Sequence, residues 1–193
     1  MTIYLVRHTA VQAHRLCYGH HDVALADTFA TEAAQLRAKL PPAPAAGYRA
    51  HSSPAARCRV LAAEFAAEVE TDERLREMNF GAWENRPWND LPAAETTPCM
   101  ADYVTLAPPG GETFEAVQAR AAAFLTELAE LAAADATDEQ SVLVFTHGGT
   151  IRALVCHCLG IPLGNAFQLR IDFASMTRLQ RQHGRWNLLG LNG

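Results

Sequence analysis

The sequence is short of several things at once. It has five cysteines in 193 residues, an odd number and too few for a disulfide scaffold, which points to a reducing compartment. No apolar run approaches the roughly 20 residues that span a bilayer, and the N-terminal MTIYLVRH has neither a charged leader nor a small-residue cleavage site. The reading is a soluble, cytoplasmic protein without membrane partners. Basic charge is also scarce: 16 Lys+Arg face 21 Asp+Glu, a formal net charge of −5. A polyanion is held by exchanging counterions for many Lys and Arg contacts, so extended nucleic acid is excluded as a partner. A small anion held by a few convergent cations is not.

Present instead is a composition 49% hydrophobic and 19% charged, on a chain long enough for one domain with a full-sized core and no need of metal or disulfide. Residues 2 to 6 and 142 to 145 are short apolar runs read as buried strands. Helical spacing predicts helices from Asp27 to Leu40, from Pro54 to Val69, from Phe114 to Leu131 with Thr113 as N-cap, and from Gly148 to near Gly160. Weaker strand signals fall at Phe167 to Phe173, Met176 to Arg181 and Trp186 to Leu189, and the Pro/Ala stretch 41 to 46 reads as a helix-to-strand connection. Alternating strands and helices predict an α/β fold, a mainly parallel sheet covered on both faces as a three-layer sandwich. The stretch 76 to 113, rich in Pro, Gly and Trp with one short helix near 87 to 104, is the candidate specificity segment.

In such folds chemistry gathers beyond the carboxyl ends of strands. Both buried strands end there in a histidine, Arg7-His8 and Thr146-His147, and His147 precedes Gly148-Gly149 at a helix start, where free N–H groups attract an anion. Cys156 and Cys158 flank His157, but residues two apart point to different faces of a helix, so no metal site is expected.

Five blocks in order carry a resemblance: Leu5-Val6-Arg7-His8; Ser52-Ser53-Pro54 with Arg57; Leu75-Arg76-Glu77 leading to Phe80-Gly81-Ala82-Trp83-Glu84; Pro109-Gly110-Gly111-Glu112-Thr113; and Thr146-His147-Gly148-Gly149 with Arg152. Together they resemble the histidine phosphatase (phosphoglycerate mutase-like) superfamily. The run Arg7-His8-Thr9, the Cys17-Tyr18-Gly19 loop and the Phe80 to Trp88 run are similar to its α-ribazole phosphatase branch.

The resemblance implies a phosphoglycerate mutase-like fold and a metal-independent phosphomonoester hydrolase with no cofactor and a small phosphorylated substrate. His8 is then the nucleophile, forming a phosphohistidine. Arg7 and Arg57 grip the phosphate with planar forks. His147, protonated once phosphate is bound, and the Gly148 N–H stabilise the transferring group. Glu77 is the general acid, then the base. His14 stands where the family usually has an amide, and its ring can still donate to phosphate; Val11 stands where a hydroxyl is usual. Tyr18 and Trp83 are candidates for the substrate pocket. A phosphoglycerate mutase-type phosphotransferase and a catalytically weak phosphate-ligand binding protein are the alternatives, and assembly as a homodimer stays open.

Overall fold

The computed structural model describes residues 1–43, 47–134 and 141–193. Its centre is a six-stranded sheet in the order β4-β3-β6-β1-β7-β8. The strands are β1 (Thr2–Arg7), β3 (Arg49–Ser52), β4 (Glu70–Thr71), β6 (Ser141–Thr146), β7 (Met176–Gln182) and β8 (Arg185–Gly190); β2 (Leu16–Cys17) and β5 (Arg86–Pro87) form a separate pair. From β4 to β1 the neighbours run parallel, whereas β7 and β8 add antiparallel at one edge. The mainly parallel sheet is as the alternation of elements requires.

Side-chain alternation along β1 sends Ile3 and Leu5 to one face and Tyr4 and Val6 to the other. The first face packs with Val142 and Val144 of β6 against α4 (Phe114–Ala134) and α5 (Gly148–Leu159), through Phe124, Leu125, Leu128, Ile151 and Leu154. The second packs with Leu143 and Phe145 against α1 (Phe29–Lys39) and α2 (Ala56–Ala63), through Leu36, Cys58 and Leu61. These are the three layers of the α/β/α sandwich. Thr113 caps α4 as its spacing predicts, with its Oγ1 accepting from Ala116 N at 3.1 Å.

Several boundaries differ from the sequence reading. The second helix is shorter than Pro54 to Val69, because the chain turns out of it after Ala63. The short helix of the irregular segment is α3 (Ala93–Ala101), preceded by a 3₁₀ turn at Trp88–Asp90. Residues 44 to 46 of the expected connection at 41 to 46 lie outside the described residues. Phe167 to Phe173 is not a strand: a 3₁₀ turn, Leu163–Gln168, gives way to a loop that reaches back over the carboxyl ends of the sheet. Its aromatic rings cover arginines rather than a sheet face. The guanidinium carbon of Arg7 sits 3.7 Å from the Phe173 ring centre and that of Arg152 5.1 Å from the Phe167 ring centre. Among the described residues no helix is long and apolar enough to cross a membrane.

Candidate active site

Parallel pairing of β1 with β6 puts Arg7 opposite Thr146, so His8 and His147 leave the sheet side by side. Their rings stand edge to face with centres 5.3 Å apart. The sheet holds both exits: His8 N donates to Thr146 O at 3.1 Å, and Ser53 N, just beyond β3, donates to Phe145 O at 2.8 Å. Three strand ends therefore converge on one floor.

His8 is 2% exposed. Its Nδ1 lies 2.8 Å from the backbone carbonyl oxygen of Thr9. A carbonyl only accepts, so this contact selects the tautomer with hydrogen on Nδ1 and leaves Nε2 with its lone pair. Burial pushes the His8 pKa well below its ordinary value, and the Arg57 and Arg7 charges push the same way. The imidazole is thus neutral in the free site. His147 is held neutral by the same causes, burial first and then Arg57 and His8. Its Nε2 lies 2.8 Å from Ser53 Oγ, a buried hydroxyl that can donate or accept as the ring's protonation changes.

Around the two rings stand arginines. Arg57, entering from α2, is fully buried; its Nη1 donates to His21 O at 3.0 Å and its Nη2 to Gly19 O at 2.5 Å. Arg7 Nη1 donates to Ile171 O at 2.5 Å. The Nε of each guanidinium is buried without a hydrogen-bond partner among the described residues. Buried donors of a charged group are costly to leave unmade, and two of them near a neutral imidazole suit an anion with several acceptor oxygens. Arg152 brings a third guanidinium. A Cβ on Gly148 would lie 3.2 Å from both Arg7 Cζ and Arg152 Nη1, so these groups close around the first turn of α5. The Gly148 N–H has no intrahelical partner there, as for any first-turn amide.

Glu77 approaches the same turn from the loop after a 3₁₀ turn at Glu73–Leu75. Its Oε2 accepts from Gly149 N at 3.0 Å and its Oε1 from Met78 N at 3.0 Å. The contact needs glycine, since a Cβ at position 149 would stand 2.3 Å from Glu77 Oε1. The Glu77 carboxyl group and the His8 ring line one cavity with Arg7, Gly148, Gly149 and Arg152.

That cavity, of about 450 Å³, has a polar floor and an apolar wall. The wall is largely aromatic: Phe80, Trp83, Trp88, Tyr103, Phe114 and Phe167 all face it. Trp83 is 1% exposed, and its Nε1 donates to Glu95 Oε2 at 2.9 Å, which ties the wall to α3. At Gly81 the backbone takes φ +53° and a side chain would meet Pro109 O at 2.2 Å, so only glycine lets the two ends of the wall cross. Tyr18 lines the cavity with its ring 5.3 Å from the Arg57 guanidinium carbon, and burial raises its pKa.

The structure thus brings Arg7, His8, Glu77, Gly148, Tyr18 and Trp83 to one cavity, with His147 beside His8 and Arg57 beside Tyr18, both fully buried behind its lining. His14 is exposed and lines a shallower neighbouring groove with Val11, Arg15 and Phe173, outside the cavity. Sequence reasoning assigned no role to Ser53 or Phe173, and none to Arg152, though it stands in the His147 block. Ser53, directly before Pro54 and between the end of β3 and the helix that carries Arg57, has a readable signal; Phe173 has only apolar character.

Comparison with known proteins agrees with this geometry. Residues 3–193 match the histidine phosphatase superfamily, branch 1. A Hydrogenobacter thermophilus protein named as a phosphoserine phosphatase is 30% identical over 128 residues, 65% of this chain. An Escherichia coli adenosylcobalamin/alpha-ribazole phosphatase is 26% identical over 137 residues, 69% of this chain. In both, the aligned stretch spans 60% of the relative's own length. The crystal structure of the alpha-ribazole phosphatase from Shigella flexneri superposes with a TM-score of 0.89 at 25% identity, covering 100% of this chain and 96% of that one. With the family's blocks in order, the fold reproduced over the full chain and the two histidines side by side, the chain belongs to the histidine phosphatase superfamily, branch 1.

Proposed function

We propose that the protein is a phosphomonoester hydrolase that works through a phosphohistidine on His8 without a metal ion. The observation that carries this reading is the His8 ring itself: buried, held neutral, and fixed by Thr9 O in the tautomer that leaves Nε2 free to attack. In the first step the Nε2–P bond forms as the ester P–O bond breaks, and the Glu77 carboxylic acid gives its proton to the leaving oxygen. In the second, water attacks phosphorus, its proton passes to the Glu77 carboxylate, and the N–P bond breaks. Arg7, Arg57 and the Gly148 N–H face the charge on the transferring oxygens, and His147 becomes a charged donor when the dianion arrives. Fixed positive charge is supplied by side chains and a helix start. Among the described residues no group of three or more His, Cys, Asp or Glu is arranged to hold a metal ion.

The aromatic wall favours a small phosphate ester whose alcohol carries an apolar heteroaromatic group, which supports α-ribazole-5′-phosphate as the substrate. The irregular segment 76 to 113 supplies most of that wall and sets the preference. Among the described residues a bisphosphorylated or strongly anionic alcohol would find Arg152 as the one arginine or lysine on the cavity lining beyond Arg7, which argues against mutase-type transfer. The test is hydrolysis of a panel including α-ribazole phosphate, phosphoserine, sugar phosphates and 3-phosphoglycerate in the presence of chelator, with His8→Ala alongside. We expect turnover of the heteroaromatic ester, an acid-labile phosphoenzyme, and no turnover by His8→Ala. Turnover surviving that substitution overturns the nucleophile; wild-type inactivity on the whole panel overturns the enzyme reading in favour of a binding protein.

A further inference from the structure

Glu77 follows a single 3₁₀ turn and is itself in neither strand nor helix, yet the four consecutive carbonyls from Arg74 to Glu77 are each taken by a side chain. Arg120, on α4, donates through Nη1 to Arg74 O and to Arg76 O, both at 2.7 Å, and through Nη2 to Glu77 O at 3.1 Å. Thr146 Oγ1 donates to Leu75 O at 2.6 Å and Thr150 Oγ1 to Arg76 O at 2.7 Å. Glu112 grips the other side of the Arg120 fork: Oε2 accepts from Nε at 3.1 Å, and Oε1 accepts both from Nη2 at 2.8 Å and from Asn79 N, beyond Glu77, at 2.8 Å. The guanidinium and carboxylate together pin the chain before and after Glu77. Neither Arg120 nor Glu112 lines the cavity.

We propose that the Arg120–Glu112 pair is the positioning device of the proton donor: it holds Glu77 at the leaving-group oxygen and takes no part in binding phosphate. This rests on the reading of Glu77 as general acid. Lysine cannot replace arginine here, because one ammonium cannot reach three carbonyls and a carboxylate in a planar fork.

Leaving groups separate a positioning role from a structural one. An alkoxide must be protonated as it departs, whereas 2,4-dinitrophenolate leaves without help, so loss of a positioned acid slows alkyl esters selectively. The experiment compares glycerol phosphate with 2,4-dinitrophenyl phosphate for Arg120→Lys, Arg120→Met, Glu112→Gln, Glu77→Gln and the Glu77→Gln/Arg120→Met pair. Thermal melts confirm folding, with Arg120→Lys as the milder variant. Since about 1 Å of misplacement costs on the order of 10²-fold, kcat/KM on glycerol phosphate, which reports formation of the phosphohistidine and not the shared water-attack step that also uses Glu77, is expected to fall by that factor in Arg120→Met, with far less loss on the dinitrophenyl ester. The inhibition constant of inorganic phosphate is expected to stay unchanged, and the double variant to be no more selective than Glu77→Gln. Equal losses on both esters in Arg120→Lys and Arg120→Met, with Glu77→Gln selective, overturn the positioning pair alone. A Glu77→Gln enzyme without selectivity overturns the proton donor, and the pair's role falls with it.

Discussion

Replacing Gly149 by alanine puts one methyl group where the structure has a carboxylate oxygen. The added Cβ would lie 2.3 Å from Glu77 Oε1, and ordinary van der Waals contact begins at 3.4 Å, so the carboxylate must retreat by about 1 Å or the first turn of α5 must open by as much. The backbone at 149 has no left-handed φ to strain, and alanine in a helix is favoured over glycine by up to about 1 kcal/mol. Folding is therefore expected to survive while the Gly149 N–H to Glu77 contact does not. A 1 Å misplacement of a reacting group costs on the order of 10²-fold, or about 2.7 kcal/mol of transition-state stabilisation. The assay is kcat/KM on glycerol phosphate and on 2,4-dinitrophenyl phosphate, with the melting temperature taken alongside. The expected result is a hundredfold loss on the first, a small loss on the second and an unchanged or higher melting temperature. Wild-type rates on both esters would show that the carboxylate does not need to be where it is, and would refute the reasoning.

Two further outcomes follow from the buried groups. His8, His51 and His147 all have native pKa values lowered chiefly by burial, so below about pH 6.5 the unfolded chain binds protons that the native one refuses. Stability is full above that value and falls as pH drops towards the native pKa values, by up to about 1.4 kcal/mol per pH unit for each histidine. Urea midpoints between pH 7.5 and 5.0 should fall, and inorganic phosphate should flatten the slope by paying for protonation of His147; a constant midpoint would contradict the burial argument. Arg57→Lys should weaken phosphate inhibition by at least tenfold, since one ammonium replaces two carbonyl contacts and a fork. An unaltered inhibition constant would remove Arg57 from the phosphate site.

The legible part of the fold was the part governed by apolar periodicity. Ile3 to Val6 and Val142 to Phe145 are buried on both faces and could be nothing but central strands, and their polar exits located the floor. The helix-to-strand connection at 41 to 46 implies a strand after it, but Arg49-Ala50-His51-Ser52 has too little apolar character to give β3 its bounds, although it lies between β6 and β4. Phe167 to Phe173 misled for the opposite reason: its rings are apolar because they cover guanidinium faces, and periodicity cannot distinguish that use from a sheet. The resemblance puts His14 at the phosphate by its offset from His8, but its side chain is exposed in the outer groove. Contacts built from main-chain carbonyls, such as those of Arg120 and Arg57, leave no residue pattern for a sequence to show.

The pairing of β1 also has a consequence for synthesis. Both of its sheet neighbours, β6 and β7, come from the last third of the chain. Of the six strands of the sheet, β1 is therefore synthesised first and finds its partners last. At roughly 5–20 residues per second the wait for β7 is about 10–35 s, during which Ile3-Tyr4-Leu5-Val6 exposes two unpaired edges. Until that strand docks, neither Arg7 nor His8 has a floor to stand on, so a nascent chain halted before residue 141 would not bring His8 beside His147.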